Sequence, residues 1–236
     1  MLRSIRTYRL DRAHAAGLRR LYARFVRPGD LVFDVGAHVG DRVAAFRALG
    51  ARVVAVEPQR RLARLLALAT AADRAVRVER CAVGAEPGEA ELKANRANPT
   101  VSTLSDALTR AAPGAAAWSA QVWDRAERVR VTTLDALIAA HGAPAFVKID
   151  VEGWEPEALA GLSRPPPALS FEATAVLREA GLAALDRAEA LGYRAFRLSL
   201  GESHRFEGGW VGAAEMRRRL AAFSEADNSG DVYCRL

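Results

Sequence analysis

Leu31-Val32-Phe33-Asp34-Val35-Gly36-Ala37-His38-Val39-Gly40 decides how this chain folds. Leu31, Val32, Phe33 and Val35 crowd four apolar side chains into five positions, the pattern of a strand buried on both faces. The run breaks at Gly36 and passes through Gly40 into Asp41–Gly50, a helical stretch with Gly50 placed as its stop. A second apolar strand follows, Ala51-Arg52-Val53-Val54-Ala55-Val56, and ends in Glu57-Pro58. Strand, glycine turn, helix and strand make a nucleotide-binding βαβ unit. The glycines allow a sharp turn and a close ligand approach, and an acid about 20 positions on can take both hydroxyls of a ribose. The plainer alternative is a βαβ unit whose glycines serve only the turn.

The ligand follows from departures. A dinucleotide loop wants G-x-G-x-x-G, with a pyrophosphate on the helix N-terminus. Here there are two glycines, and Asp34 precedes them. A carboxylate there repels a pyrophosphate but suits a ligand carrying an ammonium group, such as S-adenosylmethionine. Asp34-Val35-Gly36-Ala37-His38-Val39-Gly40 with Val56-Glu57-Pro58 resembles the FkbM family of S-adenosylmethionine-dependent methyltransferases. Ser102-Thr103-Leu104 is similar to a short element of that family. Lys148-Ile149-Asp150-Val151-Glu152-Gly153, with Glu155, Leu159 and Gly161 downstream, resembles its most specific run. The likeness spans about residues 30–172.

The resemblance implies an α/β, Rossmann-like class I methyltransferase fold. Its sheet is mostly parallel and seven-stranded, with helices on both faces and an antiparallel last strand. It implies methyl transfer to a hydroxyl oxygen of a small molecule or a sugar-containing metabolite. Asp34, Gly36 and Gly40 would hold the methionine part of S-adenosylmethionine, the acid helping to hold its ammonium, with Ala37 and His38 of the same loop among the cofactor-binding residues. Glu57, with Pro58 behind it, would hold the ribose through charge-assisted hydrogen bonds. Cys81 and Ala82 lie where such enzymes cradle adenine.

Composition bounds the rest. A chain of 236 residues, half hydrophobic and a quarter charged, suits a single globular α/β unit. Residues 1–29 read as an N-terminal helical extension, with a helix over 10–26, and residues 30–236 as the methyltransferase domain. No run approaches the ~18 apolar residues of a membrane span, so no membrane partner is expected. Met1–Arg9 is basic without an apolar region behind it, unlike a signal peptide. With no other address, a cytoplasmic location is expected. Cys81 and Cys234 fall in expected strands and read as buried free thiols. The net charge of +6 comes from scattered arginines, with Lys93 and Lys148 the only lysines. No basic run interleaves with aromatics, so no nucleic-acid groove is expected.

Along the chain, helices are expected over 59–70, from Thr133 to about Gly142, from Trp154 to Gly161, over 176–191 and near 212–222. Further strands are expected at Val76–Val83, 86–94, Arg128–Thr132, Ala145–Ile149, Ala168–Glu172, Tyr193–Leu198 and Asp231–Leu236. Residues 95–126 and 201–228 carry the least pattern and read as the walls of the acceptor site.

Displacement from a sulfonium needs an aligned oxygen and benefits from a base. The candidates are Asp150, Glu152, Lys148 and His38. Asp150 comes first, because ligands sit outside the carboxyl ends of strands. It could also bind the cofactor or cap a helix. Asp150, Glu152 and Glu172 could offer oxygen ligands to magnesium, yet metal independence is expected. No His or Cys cluster in the sequence supports zinc. A nicotinamide oxidoreductase and an RNA-associated protein are the alternatives. The identity of the acceptor and the oligomeric state are not legible.

Overall fold

The computed structural model describes residues 11–236. The basic stretch Met1–Arg9 and Leu10, the first position of the expected helix over 10–26, lie outside the described residues. The elements run α1 (Arg12–Tyr22), β1 (Leu31–Val35), α2 (Asp41–Ala48), β2 (Arg52–Val56), α3 (Arg60–Ala69), β3 (Val76–Glu79), β4 (Ala82–Val83) and β5 (Gly88–Ala94). After a short α4 (Asp106–Ala111) come β6 (Arg125–Thr132), α5 (Leu134–His141), β7 (Phe146–Ile149), α6 (Glu155–Ala160) and β8 (Ala168–Thr174). The chain ends with α7 (Arg178–Ala190), β9 (Ala195–Leu200), β10 (Glu207–Val211), α8 (Ala213–Ala221) and β11 (Ser229–Arg235).

The main sheet has the order β10-β9-β11-β8-β7-β1-β2-β3. The strands β3, β2, β1, β7 and β8 pair in parallel. The last strand, β11, slots antiparallel between β8 and β9. This is the Rossmann-like, mostly parallel arrangement with an antiparallel last strand. All five residues of β1 are buried, because β1 lies mid-sheet with helices over both faces.

Alternation along β1 sends Leu31, Phe33 and Val35 into one apolar cluster, under α5, α6, α7 and α8. Val32 goes into the other, under α1, α2 and α3. The apolar face of α1 seats Leu18, Leu21 and Tyr22 in that second cluster. Its start is fixed by Asp11, whose carboxylate accepts the amides of Ala13 and His14.

Two expectations are corrected. The main sheet has eight strands, not seven, because β10 adds to the edge of β9 from within the 201–228 segment. Gly208 and Gly209 give it little strand signal; cross-strand pairing sustains it, with Arg197 Nε donating to the Gly208 carbonyl at 2.7 Å. The single strand expected at Val76–Val83 is two. After Glu79 its neighbour β2 ends in Glu57-Pro58, and proline has no amide to continue the ladder. Ala82-Val83 instead pairs with β6, which also pairs with β5, in a separate three-stranded sheet. Among the described residues no helix is long and apolar enough to cross a membrane.

Candidate active site

The carboxyl ends of β1, β2, β7 and β8 face a crevice divided into two abutting cavities. The first, of about 520 Å³, is lined by Gly36, His38, Glu57, Pro58 and Gln59, by Cys81, Ala82, Val83 and Leu92, and by Trp154. The second, of about 1150 Å³, is more polar and takes in Asp41, Arg42, Trp118, Glu172, Glu202, Asn228 and Asp231. Gly36, His38, Thr100, Asp150 and Glu152 border both.

Glu57 is 2 % exposed, and its carboxylate is pinned from two sides. Oε2 accepts the His38 amide at 2.9 Å and Oε1 accepts the Gln59 amide at 2.8 Å. Burial pushes its pKa up to about 7, against those two amides. Each oxygen keeps a lone pair for a further donor in the first cavity.

Gly36 adopts φ +86°, as the expected turn requires. The space beside it is taken by protein: a Cβ there would lie 1.7 Å from the Asp150 carbonyl oxygen. Gly40, also at positive φ, faces Leu66 rather than either cavity. Ala37 is buried, and its amide donates to the Val56 carbonyl.

The remaining expected residues divide. Cys81 and Ala82 line the first cavity, and burial pushes the Cys81 thiol up to about 11. Burial also holds His38 below its ordinary range. Asp34 is fully buried and lines neither cavity. Its register partner is Lys148, so both point to the α1–α3 face. Neither Asp34 carboxylate oxygen has a hydrogen-bond partner among the described residues, and burial pushes its pKa up to about 7.

Lys148 is also fully buried and lines neither cavity. Its Nζ meets Asp231 Oδ1 at 2.5 Å and Asp150 Oδ2 at 3.4 Å. Burial alone would lower its pKa, but Asp150 and Asp231 outweigh that and hold it above the usual lysine range.

Asp150 lies on the shared wall, and Arg42 comes within 3.7 Å of the same Oδ2 that faces Lys148. Burial works to raise its pKa, yet Lys148 and Arg42 hold it below the ordinary carboxylate range. Glu152 and Glu172 close a trio with it. Burial and the neighbouring acids hold both well above the usual range. The trio therefore sets one acid held below its usual range beside two held above theirs. Asp150 caps no helix: α6 starts at Glu155, and its N-cap position is Trp154, which makes no side-chain cap bond.

Glu152 sits in the left-handed region at φ +56°. Thr103 Oγ1 donates to its carbonyl at 2.7 Å, and Glu155 Oε1 accepts the Val151 amide at 2.9 Å. The Ser-Thr-Leu element and Glu155 thus shape the loop after β7. Gly161 lets the loop after β4 approach, since a Cβ there would meet the Gly84 carbonyl oxygen at 2.2 Å. Thr100, Val101 and Trp118 from one irregular segment, and Gly201, Glu202 and Asn228 from the other, line the second cavity.

Several lining residues escaped the sequence reading. Arg42 lies in an ordinary helix, and Glu202 and Asn228 lie in the 201–228 segment, expected as a wall without either residue being singled out. Gln59 follows a proline with no motif of its own. Trp154 stood next to the Lys148–Gly153 run, and its indole N–H is buried with no acceptor among the described residues.

The family profile described as the methyltransferase FkbM domain matches residues 34–220. No curated protein matches the chain. Among solved structures it is similar to fibrillarin of Aeropyrum pernix in complex with natively bound S-adenosyl-L-methionine. The identity is 12 %, with 94 % of this chain and 73 % of that one covered, at a TM-score of 0.49. It is also similar to precorrin-6y C5,15-methyltransferase of Geobacter metallireducens, at 11 % identity over 94 % and 86 % of the two chains and a TM-score of 0.47. Precorrin 8w decarboxylase of Methanobacterium thermoautotrophicum is similar at 11 % identity over 93 % and 89 %, with a TM-score of 0.49.

Proposed function

This chain belongs to the FkbM methyltransferase family, and from that membership we propose that it methylates a hydroxyl oxygen of a sugar-like small molecule. The methyl donor is S-adenosylmethionine. The observation that carries the reading is the pair of abutting cavities with Asp150 and Glu152 on their shared wall.

The first cavity suits the donor. The pinned Glu57 carboxylate is an acceptor for two ribose hydroxyls. The Trp154 N–H is an orphaned buried donor that a ring nitrogen of adenine would satisfy. Val83, Leu92 and Leu104 offer an apolar bed for a flat base. Asp150, ionised and exposed to the cavity, takes the ammonium in place of the more deeply buried Asp34.

The second cavity suits a hydroxyl-rich acceptor. Arg42, Glu202, Asn228 and Asp231 provide polar partners, and the Trp118 ring provides a face for a sugar. When bound, S-adenosylmethionine supplies a methyl group already activated on a positively charged sulfur. The chain's task is to align an oxygen behind that methyl and to receive its proton. As the new O–C bond forms and the C–S bond breaks, the hydroxyl proton passes to the carboxylate trio. Glu152, on the shared wall, would accept it, since Asp150 is engaged with the ammonium and held a weak base by Lys148 and Arg42, with Glu172 beside Glu152 to share the proton.

The test uses methyl-labelled donor with a panel of sugars and hydroxylated metabolites, the product being read by mass spectrometry. A methyl ether is expected. Labelled product formed only on nitrogen or carbon would overturn the hydroxyl assignment. Donor-side roles are tested by S-adenosylhomocysteine titration of Glu57→Gln and Trp154→Phe. Affinity should fall at least tenfold in the first and about three- to tenfold in the second, as one neutral hydrogen bond predicts. Unchanged affinity in both would remove the ribose and adenine assignments.

A further inference from the structure

We propose that His14, Glu202 and His204 form a zinc site that ties α1 to the turn at residues 201–204 beside the second cavity. His14 Nδ1 and His204 Nε2 meet at 3.0 Å. Glu202 Oε2 lies 3.8 Å from the first and 3.6 Å from the second. Three electron-pair donors from two distant parts of the chain thus converge on one point.

A proton shared by the two rings would satisfy the 3.0 Å contact alone. The carboxylate contacts are too long for hydrogen bonds. A cation at the centre reaches all three. Zinc binds imidazole nitrogen and carboxylate oxygen at ~2.0–2.2 Å in tetrahedral array, which sets ligand atoms roughly 3.3–3.5 Å apart. The three separations bracket that value. Two histidines and a glutamate are also a known three-ligand zinc set that leaves a fourth position for water.

The surroundings are arranged for a metal. His14 turns its other nitrogen, Nε2, to Asp41 Oδ2 at 2.9 Å. That bond selects the tautomer with Nδ1 unprotonated, and carboxylate–histidine–metal relays of this kind orient metal ligands. Arg42 approaches Glu202 through Oε1 at 3.5 Å, leaving Oε2 aimed at the histidines. His204 adopts a left-handed backbone, φ +51°. Its ring lies against Gly17 of α1, where a Cβ would come within 2.7 Å of His204 Cδ2. Glu202 lines the second cavity, so the ion would fix one wall of that cavity whatever the acceptor.

The full chain, stripped with a chelator and dialysed, is titrated with zinc chloride against a colorimetric competitor. One equivalent should bind with a dissociation constant below about 1 µM. His204→Gln and Glu202→Gln should each weaken binding at least tenfold, and Asp41→Asn, acting through His14, about 10–100-fold. Glu202 is half exposed, so its variant tests the site without disturbing the core. His141→Gln, outside the cluster, should bind zinc as the unmodified chain does. Zinc should also raise the melting temperature of the unmodified chain but not of His204→Gln. Failure to bind one equivalent, or equal affinity in the two ligand variants, overturns the site and leaves a hydrogen-bonded histidine pair.

Discussion

The alpha carbon of Gly36 faces the carbonyl oxygen of Asp150 so closely that a Cβ would sit 1.7 Å from it. The glycine that opens the loop after β1 is thus required by the adjoining strand. Gly36→Ala must both clash with backbone and place a Cβ at φ +86°. It should cost at least ~2–4 kcal/mol of folding stability, measured by urea denaturation. A loss below ~1 kcal/mol would mean that the loop relaxes easily.

Donor binding should depend on pH through Glu57. Its pKa of about 7 in the free protein reflects a buried acid still able to protonate near neutrality. Two hydroxyl donors favour the ionised form, so binding lowers the pKa and expels a proton below pH 7. Affinity for S-adenosylhomocysteine should therefore rise with pH up to about 7 and then level. Calorimetry in buffers of different ionisation enthalpy counts the proton, and Glu57→Gln should abolish this part of the dependence.

Asp34 leaves a stability signature of opposite use. Its ordinary pKa of 3.8 rises to about 7 in the fold. Between those values the unfolded chain is ionised and the folded chain is protonated, so stability falls as pH rises through that window. Asp34→Asn removes the penalty. The variant should match the unmodified chain near pH 3.8 and exceed it by ~1–3 kcal/mol above pH 7, as read from denaturation at several pH values. A difference independent of pH would contradict the buried, unpartnered carboxyl.

Lys148 sits between two carboxylates with no exposure. Lys148→Met should leave Asp231 uncompensated and Asp150 with only Arg42 beside it, and cost ~3–5 kcal/mol. Lys148→Met combined with Asp231→Leu should recover part of that loss. A double-mutant cycle by chemical denaturation measures the coupling, and near-additive losses would show that the pair carries little.

Much of the wall of the first cavity was legible in the sequence because its signals are local. A run of apolar residues, a turn needing positive φ at Gly36 and an acid at the next strand end all lie within residues 31–58. Alternation along a strand is local too, but it does not reveal which face meets the ligand. Asp34 was read as a ligand group, yet it shares the α1–α3 face with Lys148. Trp154 carried no motif, since an unsatisfied N–H exists only once its surroundings are built.

By itself the sequence determined the βαβ start, the mostly parallel sheet, the antiparallel close and the family. Each follows from hydrophobic periodicity and turn chemistry over a few tens of residues. Only the tertiary structure decided the two-cavity crevice, the clamp on Lys148 and the meeting of His14 with His204, 190 positions apart. Side chains so distant in sequence leave no spacing to read. Their chemistry exists because the sheet brings α1 and the turn after β9 to one rim.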